Sequence, residues 1–173
     1  MANHSAHLII RATESQDANA LAELYREPEI YRQTLQLPMQ SYGIWQQRMQ
    51  NIPSNVYSFV AESDGKMIGN VALTVETRPR CNHIAEFVIA VSTSAQGKGV
   101  GSTLLKHILD LADNWLNLHR VQLKVYADNQ KAIDFYEKHG FIKEGLFKDF
   151  AFGDGKYLDT FMMARIHPYH KEG

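Results

Sequence analysis

Apolar and polar residues alternate along the chain in a pattern that predicts strands and helices around one central segment. The run from Ile84 to Val91 is apolar on both alternating faces except at Glu86, which predicts a central strand covered on both sides. From Gly101 onward, apolar residues recur at steps of three and four, which predicts a helix. These residues are Leu104, Leu105, Ile108, Leu111, Ala112 and Trp115. The segment is therefore predicted to form a strand, a turn and a helix.

Upstream of this segment, the pattern predicts a strand, two helices and a β-hairpin. The first strand covers residues 7–12, and a helix follows from about Ala18, which Pro28 ends or interrupts. A second helix lies around residues 43–50. The hairpin consists of strands over residues 56–62 and 67–75 joined by an Asp-Gly turn. Residues 29–41 have no clean period, and we expect them to form a functional loop.

Downstream, the pattern alternates strands with one more helix. The elements are a strand over residues 120–127, a short helix over residues 130–139 capped by Gly140, a strand beginning at Phe141, and a last strand over about residues 157–165. The predicted order is β, α, α, β, β, β, α, β, α, β, β, without a linker or an internal repeat. We therefore expect residues 1–173 to form one α/β domain.

The turn after the central strand holds three glycines, Gly97, Gly99 and Gly101, each separated from the next by one residue. Glycines let the backbone approach a ligand closely, and the first N–H groups of a helix have no intrahelical partner. The turn is therefore a candidate anion site, most naturally for a phosphate or pyrophosphate. A P-loop would need glycine where Ser92 stands, and a dinucleotide fingerprint would need glycine where Ser102 stands, so neither pattern fits.

Composition narrows the setting and the partners. A formal net charge of −1 gives no general attraction to nucleic acid or to anionic membranes. The single cysteine, Cys81, excludes a disulfide framework, and residues 1–7 lack the features of a leader, so we expect an unexported cytoplasmic protein. His167 and His170 have no partners at a metal-binding spacing, and we expect no metal.

Two motifs carry a family resemblance. Gln96, Gly99 and Gly101 match the pattern Gln/Arg-x-x-Gly-x-Gly/Ala, and about thirty residues later Asn129-Gln130-Lys131-Ala132-Ile133-Asp134-Phe135-Tyr136-Glu137-Lys138-His139-Gly140-Phe141 matches Asn-x-x-Ala-x-x-Phe-Tyr-x-x-x-Gly-Phe at every fixed position. In these motifs and in the order of its elements the chain resembles the GNAT superfamily of N-acetyltransferases. The resemblance implies a mixed central sheet with flanking helices, splayed between strands four and five so that acyl-CoA lies between them.

The resemblance also implies a set of site residues for transfer from acetyl-CoA without a covalent enzyme intermediate. Backbone N–H groups of the central strand would polarise the thioester carbonyl, the glycine turn would hold the pyrophosphate, and Tyr136 would protonate the departing thiolate. The implied cofactor-binding residues are Ile89, Ala90, Val91, Gln96, Gly97, Lys98, Gly99, Val100, Gly101 and Asn129. Tyr136 could instead be a core aromatic residue beside Phe135.

The residue that deprotonates the amine is less determined. Glu86 is the one charged residue within the central strand, and it is the first candidate for the base. Three roles remain open for it: the base, an anchor for the ammonium group of the substrate, or a structural partner of an arginine such as Arg78 or Arg80. His83 is the second candidate for the base.

The acetyl acceptor is expected to be a small amine. Residues 31–38, Trp45 and residues 77–80 look like the bacterial branch that acetylates free amino acids, with Tyr31, Leu35, Arg78 and Arg80 as the candidate substrate-binding residues. We expect Leu37, Met39 and Trp45 to add to an apolar lining. The candidate cations for the substrate carboxylate are Arg78, Arg80 and Arg32. Residues 85–87 and 96–100 also resemble spermidine acetyltransferases, but residues 29–41 offer polyamines a single carboxylate, Glu29. A non-enzymatic acyl-CoA-binding module is a third alternative, and a homodimer is left open.

Overall fold

A computed structural model describes residues 8–170, with His170 described by its backbone alone. His7, the expected first residue of the first strand, lies outside the described residues, as do the expected absence of a leader in residues 1–7 and the side chain of His170. Seven strands are described: β1 Leu8–Ala12, β2 Val56–Ser63, β3 Lys66–Val75, β4 Ile84–Val91, β5 Arg120–Tyr126, β6 Ile142–Gly153 and β7 Lys156–Ile166. Five α-helices are described: α1 Ala18–Arg26, α2 Pro28–Tyr31, α3 Tyr42–Gln50, α4 Val100–Asn114 and α5 Gln130–Lys138.

The strands form one mixed sheet in the order β1-β2-β3-β4-β5-β7-β6. The expected α/β fold is therefore confirmed, with the predicted order of strands and helices and the short helix α2 in addition. Contacts group the chain into two compact units. The first unit combines the chain up to Leu73 with Val88–Leu109, and the second combines Thr74–Phe87 with the chain from Asp110 onward.

In the first unit, α1 buries one face because its apolar residues recur at helical spacing. Tyr25 on this face stacks on Trp45 of α3, with ring centroids 4.8 Å apart, and its hydroxyl donates a hydrogen bond to Asn70 Oδ1 at 3.0 Å. Trp45 is only 5% exposed. The expectation that Trp45 lines a substrate pocket is therefore wrong, because the side chain packs in the hydrophobic core of this unit.

Pro28 interrupts the helical segment, as the sequence predicts, because proline lacks the N–H that would continue α1 and has the backbone angle of a first helical turn. It begins α2, which takes up the first residues of the expected loop. Residues 29–41 are therefore partly helical.

In the second unit, β4 and β5 are parallel, and β5, β7 and β6 are antiparallel. The registered pairs of β4 and β5 are Ile84 with Arg120, Ala85 with Val121 and Glu86 with Gln122, although β4 continues to Val91 and β5 to Tyr126. These three pairs lie at the beginning of both strands. Burial alternates along β5, so that Val121, Leu123 and Val125 lie in the core while the residues between them lie on the other face.

The C-terminal ends of two helices differ from those expected, and several expected strand ends differ from the structure by one residue. Trp115 lies one residue beyond the end of α4 and is 77% exposed, so its expected place on the buried face of the helix is wrong. The helix α5 ends at Lys138 rather than at His139. Gly140 has φ of 88°, in the left-handed region that favours glycine after a helix, as the capping pattern predicts.

Candidate active site

The glycine turn adopts a conformation that needs glycine at two positions. Gly97 and Gly99 have φ of 74° and 83°, in the left-handed region. A Cβ atom built on either residue would meet no atom within 4 Å, so the space beside this backbone is open. Both features fit a turn whose backbone is approached by a ligand.

The helix α4 begins directly after Gly99. The Gly99 carbonyl accepts hydrogen bonds from Thr103 N at 3.0 Å and from Thr103 Oγ1 at 3.1 Å, which closes the first helical turn. The N–H groups of Val100, Gly101 and Ser102 precede this bond and therefore have no carbonyl partner within the helix. Val100 is buried and Lys98 is exposed, so the turn is anchored on one side and carries a cation on the other. Together with the helix dipole, these groups form a site suited to an anion.

The end of β4 presents alternate backbone amides to its two edges. Ser92 N donates to Ile68 O of β3 at 2.9 Å, and Glu76 N donates to Ile84 O at 2.9 Å, which sets an antiparallel register between β3 and β4. Alternation along β4 then directs the Ala90 N–H toward β3 and the N–H groups of Ile89 and Val91 away from it. Of the three strand residues expected to meet the thioester, Ile89 and Val91 thus have the N–H direction that this role requires.

The side chain of Gln96 stabilises the turn from within. Its Nε2 donates to Val91 O at 3.1 Å, which ties the turn back to the end of β4. On the other side, the carboxylate of Glu27 accepts hydrogen bonds from Ser92 Oγ at 2.8 Å and from Thr93 N at 2.8 Å. Burial opposes ionisation of Glu27, but the hydrogen bonds from Thr93 and Ser92 outweigh it and lower the pKa of this carboxyl group. The sequence offered no signal for Glu27, since its partners are far away along the chain.

In the second unit, Tyr136 lies on α5. The helix begins at Asn129, whose Oδ1 accepts a hydrogen bond from Ala132 N at 3.2 Å, so the asparagine of the motif acts as the N-cap. The Tyr136 ring is half-buried beside Phe87, Phe135 and Phe141, at centroid distances of 5.9, 5.2 and 6.1 Å. Burial raises the pKa of Tyr136, which keeps its hydroxyl protonated at neutral pH. Among residues 8–170, no group hydrogen-bonds to this hydroxyl.

Glu86 lies on the face of β4 opposite to that of Phe87 and Tyr136, because adjacent residues of a strand point to opposite faces. Its carboxylate accepts a hydrogen bond from Gln122 Nε2 at 3.2 Å and forms an ion pair with Lys124 Nζ. The suggestion that Arg78 or Arg80 pairs with Glu86 is therefore wrong, because the cation beside Glu86 is Lys124. The parallel register explains this choice, since Glu86 pairs with Gln122 and Lys124 follows two residues later on the same face.

Arg78 is paired with Glu76, which lies two residues earlier in the chain. Its guanidinium forms an ion pair with Glu76 at 2.7 Å and is largely exposed. The hydrogen bond from Arg78 lowers the pKa of Glu76 to about 2. Arg80 is exposed in the 3₁₀ turn Pro79–Cys81, and His83, also exposed, lies beside His119 with ring centroids 6.1 Å apart.

The candidate substrate residues of the first unit lie at and after the end of α2. Tyr31 is half-buried, and the guanidinium of Arg32 lies 5.6 Å from its ring centroid. Three apolar side chains of the following segment are between 67% and 82% exposed, namely Leu35, Leu37 and Met39. Such a group of exposed apolar side chains is suited to contact with an apolar ligand.

The predicted site residues thus fall into two groups. The first unit holds the glycine turn, the end of β4, Tyr31 and Leu35, and the second holds Glu86, Tyr136, Asn129, Arg78 and Arg80. Sequence reasoning missed Gln122 and Lys124, although their polar side chains alternate with the buried residues of β5. Within the described chain, no three His, Cys, Asp or Glu residues cluster as a metal site would need, and no described helix has the length and apolarity to cross a membrane.

Comparison with known proteins identifies the family. Residues 18–141 match the model of the acetyltransferase (GNAT) family. The chain is 37% identical to the L-amino acid N-acetyltransferase AaaT of Escherichia coli, over 93% of this chain and 99% of that one. It is 32% identical to the spermidine N(1)-acetyltransferase of Vibrio cholerae, over 90% and 91% of the two chains. The crystal structure of the Vibrio cholerae spermidine N-acetyltransferase in complex with CoA and spermine matches with a TM-score of 0.82 at 31% identity, covering 92% of this chain and 95% of that one. The chain therefore belongs to the GNAT family and is an N-acetyltransferase.

Proposed function

We propose that this enzyme transfers the acetyl group of acetyl-CoA to the α-amine of free L-amino acids with apolar or aromatic side chains. The observation that carries this choice is the exposed apolar segment of Leu35, Leu37 and Met39. A polyamine needs several carboxylates for its ammonium groups, and residues 29–41 contain only Glu29. The similarity to an L-amino acid N-acetyltransferase over nearly the full length of both chains supports the same choice.

The glycine turn is suited to the pyrophosphate of acetyl-CoA. The left-handed Gly97 and Gly99 keep side chains away from this backbone, and the first N–H groups of α4 supply donors without intrahelical partners. Lys98 adds a positive charge. We expect Gln96 to act through its bond to Val91 O, by holding the turn in shape, in addition to its backbone N–H.

The chemistry requires a proton to leave the amine and a proton to reach the sulfur. Acetyl-CoA supplies the acetyl group as a thioester, and the N–H groups of Ile89 and Val91 would polarise its carbonyl. Tyr136 would donate its hydroxyl proton to the departing sulfur, while Glu86 would accept the amine proton directly or through a water molecule. The amine nitrogen would add to the thioester carbonyl carbon to give a tetrahedral intermediate, and collapse of this intermediate would break the C–S bond and release the CoA sulfur.

A panel of acceptors tests the proposal. Release of free thiol from acetyl-CoA is measured with L-phenylalanine, L-methionine, L-phenylalaninamide and spermidine. We expect the two amino acids to give the highest kcat/KM and amidation of the carboxylate to lower it. If spermidine is the best acceptor, or if the amide matches the free acid, the substrate assignment fails while the family assignment stands.

A further inference from the structure

The polar face of β5 carries a group of charges that the family motifs do not include. Lys124 and Gln122 both contact the carboxylate of Glu86, each through a different oxygen: Lys124 Nζ at Oε1 and Gln122 Nε2 at Oε2. Arg120, on the same face, is held by Gln122 and by Glu144 of β6. A carboxylate and an ammonium therefore stand side by side at the last registered pair of β4 and β5.

Solvent reaches both members of this pair. The side chains of Lys124 and Glu86 are 25% and 36% exposed. An ion pair that keeps this much contact with water contributes little net stability. A ligand that offers each charge a better partner can therefore separate the two groups at small cost, since both remain paired after it binds.

We propose that Glu86 and Lys124 together bind the two charged groups of a zwitterionic amino acid, with Lys124 as the anchor of the α-carboxylate. This inference rests on the proposed function. The substrate amine meets the Glu86 carboxylate, which is also the candidate base, and the substrate carboxylate meets the Lys124 ammonium. The groups of the enzyme pair and of the substrate are complementary, because each offers one positive and one negative charge a short distance apart.

The surroundings of Lys124 also suit an apolar side chain. Its ammonium lies 5.8 Å from the ring centroid of Phe150, and the ring of Phe147 follows at 5.7 Å from that of Phe150. Both phenylalanines are partly exposed. An amino acid held by its charged groups at Glu86 and Lys124 would have this aromatic surface beside it, where an apolar or aromatic side chain can be buried.

Lys124 also explains how the site would reject polyamines. A polyamine brings no carboxylate to Lys124, and its further ammonium groups add only positive charge, which the Lys124 ammonium repels. Arg78, one of the arginines expected to bind the substrate carboxylate, is already paired with Glu76. Lys124 therefore serves as a specificity-determining residue.

The test compares Lys124→Met with the wild type, using L-phenylalanine and L-phenylalaninamide as acceptors. We expect kcat/KM for phenylalanine to fall about 10-fold or more, mainly through KM, because one charge-assisted contact is lost. The value for the amide should change little, so the preference for the free acid disappears. Lys124→Arg should restore the preference. The matched control is Lys143→Met, which removes another strand lysine paired with a glutamate, Glu137, and should leave both values unchanged.

The outcomes separate this inference from the proposed function. If the wild type prefers the free acid and Lys124→Met keeps that preference, the Lys124 assignment is overturned while the amino-acid substrate stands. An equal loss for acid and amide would also overturn it, since it would reflect damage to Glu86 rather than loss of a carboxylate anchor. If Arg78→Met abolishes the preference instead, the anchor lies there. A wild type that does not distinguish the acid from the amide overturns both proposals.

Discussion

Glu27 and Thr93 lie 66 residues apart in the chain, and the carboxylate of Glu27 accepts hydrogen bonds from both the backbone N–H and the hydroxyl of Thr93, at 2.8 and 2.7 Å. A third hydrogen bond comes from Ser92 Oγ. The residue between α1 and α2 is thereby bonded to the segment that leads from β4 into the glycine turn. Since Thr93 cannot move without breaking these bonds, Glu27 fixes the position from which the turn starts.

This contact predicts that Glu27→Gln weakens acetyl-CoA binding although Glu27 is not expected to touch the cofactor. The glutamine side chain keeps one acceptor oxygen, but its NH₂ group replaces the other oxygen and faces the donor groups of Ser92 or Thr93, with which it cannot form the same hydrogen bonds. We expect the thermal stabilisation by acetyl-CoA to shrink, with a rise in its KM and a smaller change in kcat. Glu23→Gln, an exposed neighbour on α1, is the control. Wild-type affinity in Glu27→Gln would mean that the turn holds its shape without this contact.

The same contact predicts a pH dependence of stability. The pKa of Glu27 is lower in the folded state than in the unfolded state. The contribution of Glu27 to the free energy of unfolding is therefore fully present above the unfolded-state pKa. It is lost as the pH falls through the folded-state pKa. The difference in stability between the wild type and Glu27→Gln should therefore narrow on acidification below about pH 4.5. Urea unfolding at several pH values measures it, and a difference that stays constant would contradict the assignment.

Glycine at position 99 is predicted to be needed for cofactor binding rather than for folding. Its φ of 83° is strained for any residue with a Cβ and most strained for a β-branched one, while the open space beside it means that no protein atom is struck. Gly99→Val should therefore keep most of the fold and lose the stabilisation by acetyl-CoA. Gly99→Ala should keep more of this stabilisation than Gly99→Val and less than the wild type. Thermal unfolding with and without acetyl-CoA decides it. Gly65→Ala, in the hairpin turn, is a control with a similar φ of 73° and open surroundings.

Tyr136 is predicted to be the acid that protonates the leaving sulfur. Tyr136→Phe removes only the hydroxyl, keeps the ring beside Phe87 and Phe141, and should lower kcat by roughly 100-fold with little change in acetyl-CoA affinity. Burial raises the pKa of Tyr136, so the activity should not fall through a tyrosine ionisation near neutral pH. Turnover near that of the wild type would show that the residue serves packing alone.

Sequence alone predicted the elements with strong periodicity. The bounds of β4 were predicted as observed, because an apolar run between polar turns has few other solutions, and the two motifs located the glycine turn and α5. Side-chain partners across strands could not be predicted in the same way. Lys124 is 38 residues from Glu86, and their contact depends on the parallel register of β4 and β5, which no local pattern encodes.

The buried face of a weakly amphipathic helix could not be predicted from the sequence either. In α3 only Trp45 is buried, and its neighbours are mostly polar, so periodicity did not reveal which side faces the core. Stacking on Tyr25, 20 residues earlier in the chain, determined the outcome. The short 3₁₀ turns and the bulges of β6 were missed for a related reason, since they depend on partners rather than on local composition.

Substitutions of Leu35 and Trp45 should affect different properties, substrate binding for Leu35 and the free energy of unfolding for Trp45, although both residues were expected to line the same apolar surface. Leu35 is exposed, so Leu35→Ser should leave the free energy of unfolding within about 0.5 kcal/mol of the wild type. If its side chain contacts the substrate, the KM for phenylalanine should rise several-fold, because up to about 1.5 kcal/mol of apolar burial is lost, while the KM for alanine changes little. Trp45→Ala should instead lower the free energy of unfolding by about 3 to 5 kcal/mol, since a buried ring is removed from the core. Parallel urea titrations and acceptor kinetics distinguish the two residues. Equal effects of Leu35→Ser on both amino acids would place the substrate side chain elsewhere, and the aromatic surface of Phe147 and Phe150 would then be the remaining candidate.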